Sequence, residues 1–175
     1  MITGNKVILR EKRLADAKDD YTWEADHELA HLDAAPPVTS PFSQYLSDYA
    51  DELNHFLKTS RQFAVDTLDG KHIGNCSYYN INETKGEAEL GIMIGDRNYW
   101  DKGYGTDTVT TMVDYIFRQT KLSRIYLKTL QTNDRAQKCF QKCGFIPSDH
   151  LVKSRFKFVF MEIRRDQWLT QQAKS

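Results

Sequence analysis

The 175-residue chain contains no apolar run approaching the length that spans a membrane, and no basic stretch followed by an apolar one at its start. These absences argue against a spanning helix and a secretory leader, and a soluble, cytoplasmic protein is expected. Cysteine is scarce. Cys76, Cys139 and Cys143 are an odd number with no spacing that implies a disulfide framework, which fits a reducing compartment. Cys139 and Cys143 share a helix face with Ala136 and Phe140 and read as small buried hydrophobes. Low-complexity segments and internal repeats are also missing. The length suits one domain over residues 1–168, with a polar tail at 169–175.

Net charge is zero, but its distribution is uneven. Between Glu11 and Lys58 there are eleven acidic and four basic residues; between Arg118 and Arg165 there are twelve basic and three acidic. An acidic front suits a cationic ligand and a basic back an anionic one. The basic residues are spread over several elements rather than forming one aromatic-studded stripe, which argues against nucleic acid.

Hydrophobic spacing predicts strands at Lys6–Arg10, Phe63–Thr67, His72–Tyr79, from Ala88, at Arg124–Thr129 and at Phe156–Ile163. Helical spacing runs over Asp16–Leu32 and again from Phe42 to Leu57, with Pro36-Pro37 between them. Val109, Met112, Val113, Ile116 and Phe117 mark a third helix, and Asn133 to Cys143 a fourth that Gly144 stops. The expected fold class is α+β, with a mixed, mostly antiparallel central sheet of about seven strands and helices on both faces.

The most informative segment is Trp100-Asp101-Lys102-Gly103-Tyr104-Gly105-Thr106, which leads from an apolar strand into a helix N-terminus. Unpaired N–H groups and the positive dipole end favour an anion there, and glycine lets the backbone approach it closely.

Three ordered segments carry a family resemblance: Lys102-Gly103-Tyr104-Gly105-Thr106, Asn133-Asp134-Arg135-Ala136, and Lys142-Cys143-Gly144-Phe145. Together the sequence resembles the Gcn5-related N-acetyltransferase (GNAT) superfamily over nearly its whole length. Two positions depart from the family pattern. Trp100 stands where the loop usually begins with Gln or Arg, and Phe140 where a tyrosine often acts as general acid. Both departures fit the branch that resembles ribosomal-protein N-terminal acetyltransferases.

The resemblance implies an acetyl-CoA-dependent N-acetyltransferase acting on a primary amine, a small amine or a protein N-terminus, by direct transfer in a ternary complex. Glu89, fourteen residues before Gly103, is the implied base, with Glu87 in reserve on the same strand face. The Met93 N–H is the implied oxyanion donor. Met93, Ile94 and Gly95 would meet pantetheine; Lys102, Gly103, Tyr104, Gly105 and Thr106 the pyrophosphate; Asn133 pantetheine, or its own helix as N-cap. His31, Asp33, Tyr78 and Glu89 are the expected acceptor contacts. A homodimer through Phe156–Ile163 is a further expectation. A CoA-binding sensor without catalysis is the alternative. A more distant one is a zinc peptidase through His27-Glu28-Leu29-Ala30-His31, two imidazoles one helical turn apart, with a glutamate to activate water. No metal is expected in the acetyltransferase reading.

Overall fold

A computed structural model describes residues 1–148 and 157–175. Among the described residues eight strands form one sheet: β1 (Ile2–Thr3), β2 (Val7–Arg10), β3 (Arg61–Thr67), β4 (His72–Asn82), β5 (Glu87–Ile94), β6 (Arg124–Leu130), β7 (Ile146–Pro147) and β8 (Phe158–Arg164). Their order is β1-β2-β3-β4-β5-β6-β8-β7. Every neighbouring pair is antiparallel except β5 and β6, which are joined by the crossover helix α4 (Tyr104–Gln119). A parallel neighbour requires such a crossover, whereas β3, β4 and β5 follow one another through tight turns. Phe156, where the last strand was expected to begin, lies outside the described residues.

The core lies between the sheet and α4. Val109, Met112, Val113, Ile116 and Phe117, the helical stripe legible in the sequence, are all buried against Val7, Leu9, Ile73, Ala88, Leu90, Ile125 and Ile163. The expected helix over Asp16–Leu32 is two helices, α1 (Ala17–Ala25) and α2 (His27–Leu32). Asp26 turns extended between them, and its side chain accepts the Leu29 N–H at 3.0 Å. An aspartate offers the backbone this local bond more readily than it continues a helix. The next helix, α3 (Phe42–Asn54), stops before Phe56 and Leu57, which are exposed.

Much of the acidic front is consumed in holding these helices to the sheet. Asp16 and Asp66 both bind Arg10, at 2.8 and 2.6 Å. The fully buried Asp20 accepts from Lys12, Tyr49 and Asn75. Such buried carboxylates persist only when paired.

Residues 169–172 of the expected polar tail form the exposed end of a C-terminal helix. Helix α6 (Arg165–Gln172) buries Trp168, whose indole N–H donates to Asp114 at 2.6 Å. Arg165 donates to the carbonyls of Phe117, Thr120 and Leu122, closing the C-terminal end of α4. Among the described residues no helix is long and apolar enough to cross a membrane.

Candidate active site

The ladder between β5 and β6 holds only from Glu87↔Arg124 to Glu89↔Tyr126. Beyond it the strands part, since both continue for several residues without pairing to each other. A cleft of about 490 Å³ opens there, lined by Gly91, Ile92, Met93 and Ile94 of β5 and by Lys128, Thr129 and Leu130 of β6. The start of α4, the start of α5 (Asp134–Lys142) and the α2 end with Asp33 complete its walls. The edge of β5 facing β6 thus offers peptide groups to a ligand instead of to a strand.

At one end stands the glycine loop. Gly103 has φ 85° and precedes α4, whose first N–H groups have no intrahelical partner. Gly103, Gly105 and Thr106 line the cleft. A Cβ on Gly105 would meet only ordinary contacts, 3.6 Å from Cys139 Sγ and 3.9 Å from Ile94 Cγ1. Protein packing therefore does not demand glycine there, and its lack of a side chain leaves the floor open. Trp100, the departure from the family loop, donates its indole N–H to the Ile94 carbonyl at 2.6 Å. The Arg135 guanidinium stacks over the same ring, 3.4 Å from its centroid. Arg135, Lys138 and Lys142 bring positive charge to this end. Sequence reasoning missed all three as site residues, although they project from the α5 segment that carried the resemblance.

Three expected cofactor contacts sit differently. Lys102 is exposed and donates to the Asn98 carbonyl at 2.7 Å, away from the cleft lining. The Tyr104 ring packs edge-on against Tyr99, so only its backbone is left for the site. Gly95 commits its N–H to the Ile73 carbonyl at 2.9 Å, and a Cβ there would stand 2.0 Å from the Trp23 indole. Gly95 is a packing glycine and not a cleft residue. Asn133 both lines the cleft and caps α5, its side-chain oxygen accepting the Ala136 N–H at 3.2 Å.

Toward the middle of the sheet lies Glu89, 5% exposed. Its Oε2 accepts the Asn80 amide at 3.0 Å, while the buried Oε1 has no hydrogen-bond partner among the described residues. The Lys128 ammonium stands 4.0 Å from that oxygen. Tyr79, opposite Glu89 in the ladder, lines the cleft; burial, and then the Glu89 charge, push its phenol up. Glu87, the reserve base, is tied to Arg124 at 2.9 Å in a cluster with Glu162.

Of the expected acceptor contacts, Asp33 lines the cleft mouth. Water reaches it, yet the surrounding walls desolvate its carboxyl and push it up to about 6. Tyr78 is a correction. Strand alternation turns it to the opposite sheet face, where it is buried in the core and borders a separate cavity of about 340 Å³ with Lys58 and Arg61. Tyr79 occupies the cleft face instead. His31 is exposed and outside the cleft lining. His27 is exposed as well, and Glu28 binds Arg97 at 2.6 Å. Among the described residues no third ligand gathers with the two histidines.

Comparison with known proteins places this geometry. The acetyltransferase (GNAT) domain model matches residues 6–146. The N-acetyltransferase p20 of Bacillus licheniformis is 34% identical over 162 residues, covering 89% of this chain and 90% of its own. A spermidine N(1)-acetyltransferase of Vibrio cholerae is 30% identical over 96 residues, 55% of each chain. Among solved structures, a Vibrio cholerae spermidine N-acetyltransferase in complex with CoA and spermine superposes with a TM-score of 0.82 at 23% identity, covering 93% of this chain and 98% of that one. An aminoglycoside acetyltransferase in complex with coenzyme A gives 0.77 at 20% identity, covering 97% and 99%. The parted strands, the glycine loop at a helix start and the matched segments agree: this chain belongs to the GNAT acetyltransferase family.

Proposed function

We propose that the chain binds acetyl-CoA in this cleft and transfers the acetyl group to a primary amine of a small polycationic acceptor, directly, in a ternary complex. The observation that carries this reading is the parting of β5 from β6 immediately after Glu89↔Tyr126. It sets unpaired peptide edge and a helix N-terminus along one groove, with the buried Glu89 carboxylate behind the lining, paired in register with Tyr79 and 4.0 Å from Lys128, both of which line it. The solved relatives named above hold CoA, and one of them spermine.

Each group then has a task. Gly103, Tyr104, Gly105 and Thr106 offer backbone N–H groups to the pyrophosphate, with Arg135, Lys138 and Lys142 as nearby cations. The β5 edge at Met93 and Ile94, and Asn133, hold pantetheine. The acceptor enters as an ammonium, attracted by Asp33, and donates to the unpartnered Oε1 of Glu89. Glu89 takes the proton, and the neutral nitrogen attacks the thioester carbonyl. The Met93 N–H receives the charge that develops on the carbonyl oxygen. The C–S bond breaks, the nitrogen gives up its second proton to water, and the thiolate takes a proton from water in turn, since Phe140 has none to give.

A protein N-terminus as acceptor is the second reading, favoured by Trp100 and Phe140 occurring together. Acetyl-CoA with spermidine, an aminoglycoside and N-terminal peptides, followed by thiol release and acceptor mass, tests both. Acetylation of the small polycations supports the first reading, and acetylation of peptides alone supports the second. Acetyl-CoA binding without transfer to any acceptor would leave a non-catalytic CoA-binding module.

A further inference from the structure

Three lysines line the cleft among the described residues. Lys138 and Lys142 project from α5 at the pyrophosphate end, whereas Lys128 stands on β6 at the end that holds Glu89. The register Glu89↔Tyr126 puts those two side chains on one face of the sheet, and Lys128, two residues on, shares it. Its ammonium is 4.0 Å from Glu89 Oε1, the buried carboxylate oxygen that has no hydrogen-bond partner among the described residues. Lys128 thus already stands beside the oxygen to which the proposed mechanism brings the acceptor ammonium.

Its contacts differ from those of the lysines spent on structure. Lys12 is bound to the buried Asp20, Lys71 to Asp96 and Lys102 to the Asn98 carbonyl, each at 2.7 Å. The 4.0 Å between Lys128 and Glu89 is longer than a charge-assisted hydrogen bond of about 2.7–2.9 Å. A movement of about 1 Å closes that gap, well within the reach of a flexible four-carbon stem. The ammonium also lies over the Phe158 ring, 5.3 Å from its centroid, a contact that steadies the cation without accepting its protons along a lone pair. The side chain is 45% exposed, so it is free to turn within the groove. A primary amine therefore stands next to the base, on the strand that faces Met93 across the parting.

We propose that Lys128 is a self-acetylation site: without an acceptor, the chain moves the acetyl group of its own bound acetyl-CoA onto Lys128 Nζ. This rests on the acetyl-CoA reading above. The Lys128 ammonium gives one proton to Glu89 Oε1, and the neutral nitrogen attacks the thioester carbonyl held at the β5 edge. The C–N bond forms and the C–S bond breaks. The nitrogen gives up its second proton to water, the CoA thiolate takes one from water, and Glu89 returns its proton to solvent. No other reactant enters. Donor and amine occupy facing strands of one cleft, so the attack is internal to the acetyl-CoA complex and outpaces that on lysines which meet acetyl-CoA from solution. The product is a neutral amide, and the cleft loses the cation beside Glu89.

The test incubates the full chain with acetyl-CoA and no acceptor and follows intact mass and peptide maps, with acetyl-CoA binding measured separately by titration calorimetry. One acetyl group on Lys128 is expected, forming at least about tenfold faster than on the exposed Lys18, Lys85 and Lys174. Its rate constant should not change with protein concentration, as transfer within one complex requires. Glu89→Gln should slow Lys128 at least about tenfold and leave the three exposed lysines as they were. An unmodified Lys128, a Lys128 no faster than the exposed lysines, a rate constant that rises with protein concentration, or an undiminished rate in Glu89→Gln would each overturn the proposal. Because the wild-type peptide map and its concentration dependence locate the event, the result does not depend on the Glu89→Gln variant folding. Failure of acetyl-CoA to bind overturns the proposed function and this inference together, whereas transfer to an added amine with none to Lys128 overturns this inference alone.

Discussion

The Asn80 side-chain amide donates to Glu89 Oε2 at 3.0 Å from a residue held at φ 51°, where the β4–β5 register slips between Tyr79 and Asn82. Asparagine tolerates this left-handed backbone better than most residues, and a bulge re-aims side chains locally. One Glu89 oxygen is thereby occupied and the other, 4.0 Å from the Lys128 ammonium, is left buried without a hydrogen-bond donor among the described residues. A buried carboxylate oxygen without a partner is costly, and a ligand that donates to it recovers that cost.

Glu89→Gln should lower kcat by about 10²–10⁴-fold, the usual contribution of a positioned base. The amide can still accept from Asn80, so acetyl-CoA affinity should stay within about twofold. Steady-state kinetics across pH, with acetyl-CoA binding measured separately, checks this. An unchanged rate at every pH removes Glu89 as base.

Asp33 gives a pH signature. Desolvation raises its carboxyl to about 6, so it is largely neutral at pH 5 and ionised at pH 7. A cationic acceptor is attracted only to the ionised form. Its KM should therefore fall as pH rises through about 6, and Asp33→Asn should flatten that dependence. The sign for folding is the opposite: the folded state holds the proton more tightly than the unfolded chain, so Asp33 stabilises less as pH rises from its ordinary range to about 6.

Gly95→Ala separates packing from ligand binding. The added Cβ would stand 2.0 Å from Trp23 Cδ2, an overpacking that costs about 1–3 kcal/mol. For a chain of this size the Tm should drop by about 2–4 °C per kcal/mol, which calorimetry measures. An unchanged Tm would show that Trp23 moves aside freely.

Gly105 should behave the other way. Gly105→Ala meets only van der Waals contacts and should leave the Tm nearly unchanged, whereas Gly105→Leu projects into the cleft. Its acetyl-CoA Kd should rise at least about tenfold, about 1.4 kcal/mol. Undiminished affinity in titration calorimetry would remove the loop from the cofactor site.

Regular spacing made α4 legible: five apolar residues on one helical stripe all reach the core. What spacing could not supply was a choice between the two faces of a strand once both carried a tyrosine. Tyr78 and Tyr79 are neighbours in sequence and lie on opposite sides of the sheet, and only the Tyr79↔Glu89 register puts one of them in the cleft. Nor could a charge count tell a ligand-facing acid from a structural one. Asp16 and Asp20 are spent on Arg10 and Lys12, while Asp33 faces the cleft.

By itself the sequence determined the order of the main strands and helices, though not β1, α6 or the break between α1 and α2, together with the glycine loop before α4 and the family, because these depend on local periodicity, turn chemistry and short ordered segments. The tertiary structure alone decided the rest. It parted β5 from β6 after Glu89, assigned Gly95 to Trp23 and Lys102 to Asn98, and brought Arg135 over Trp100. The reason is physical: each of these depends on groups far apart in the chain competing for one hydrogen bond, one ring face or one volume, and only packing settles that competition.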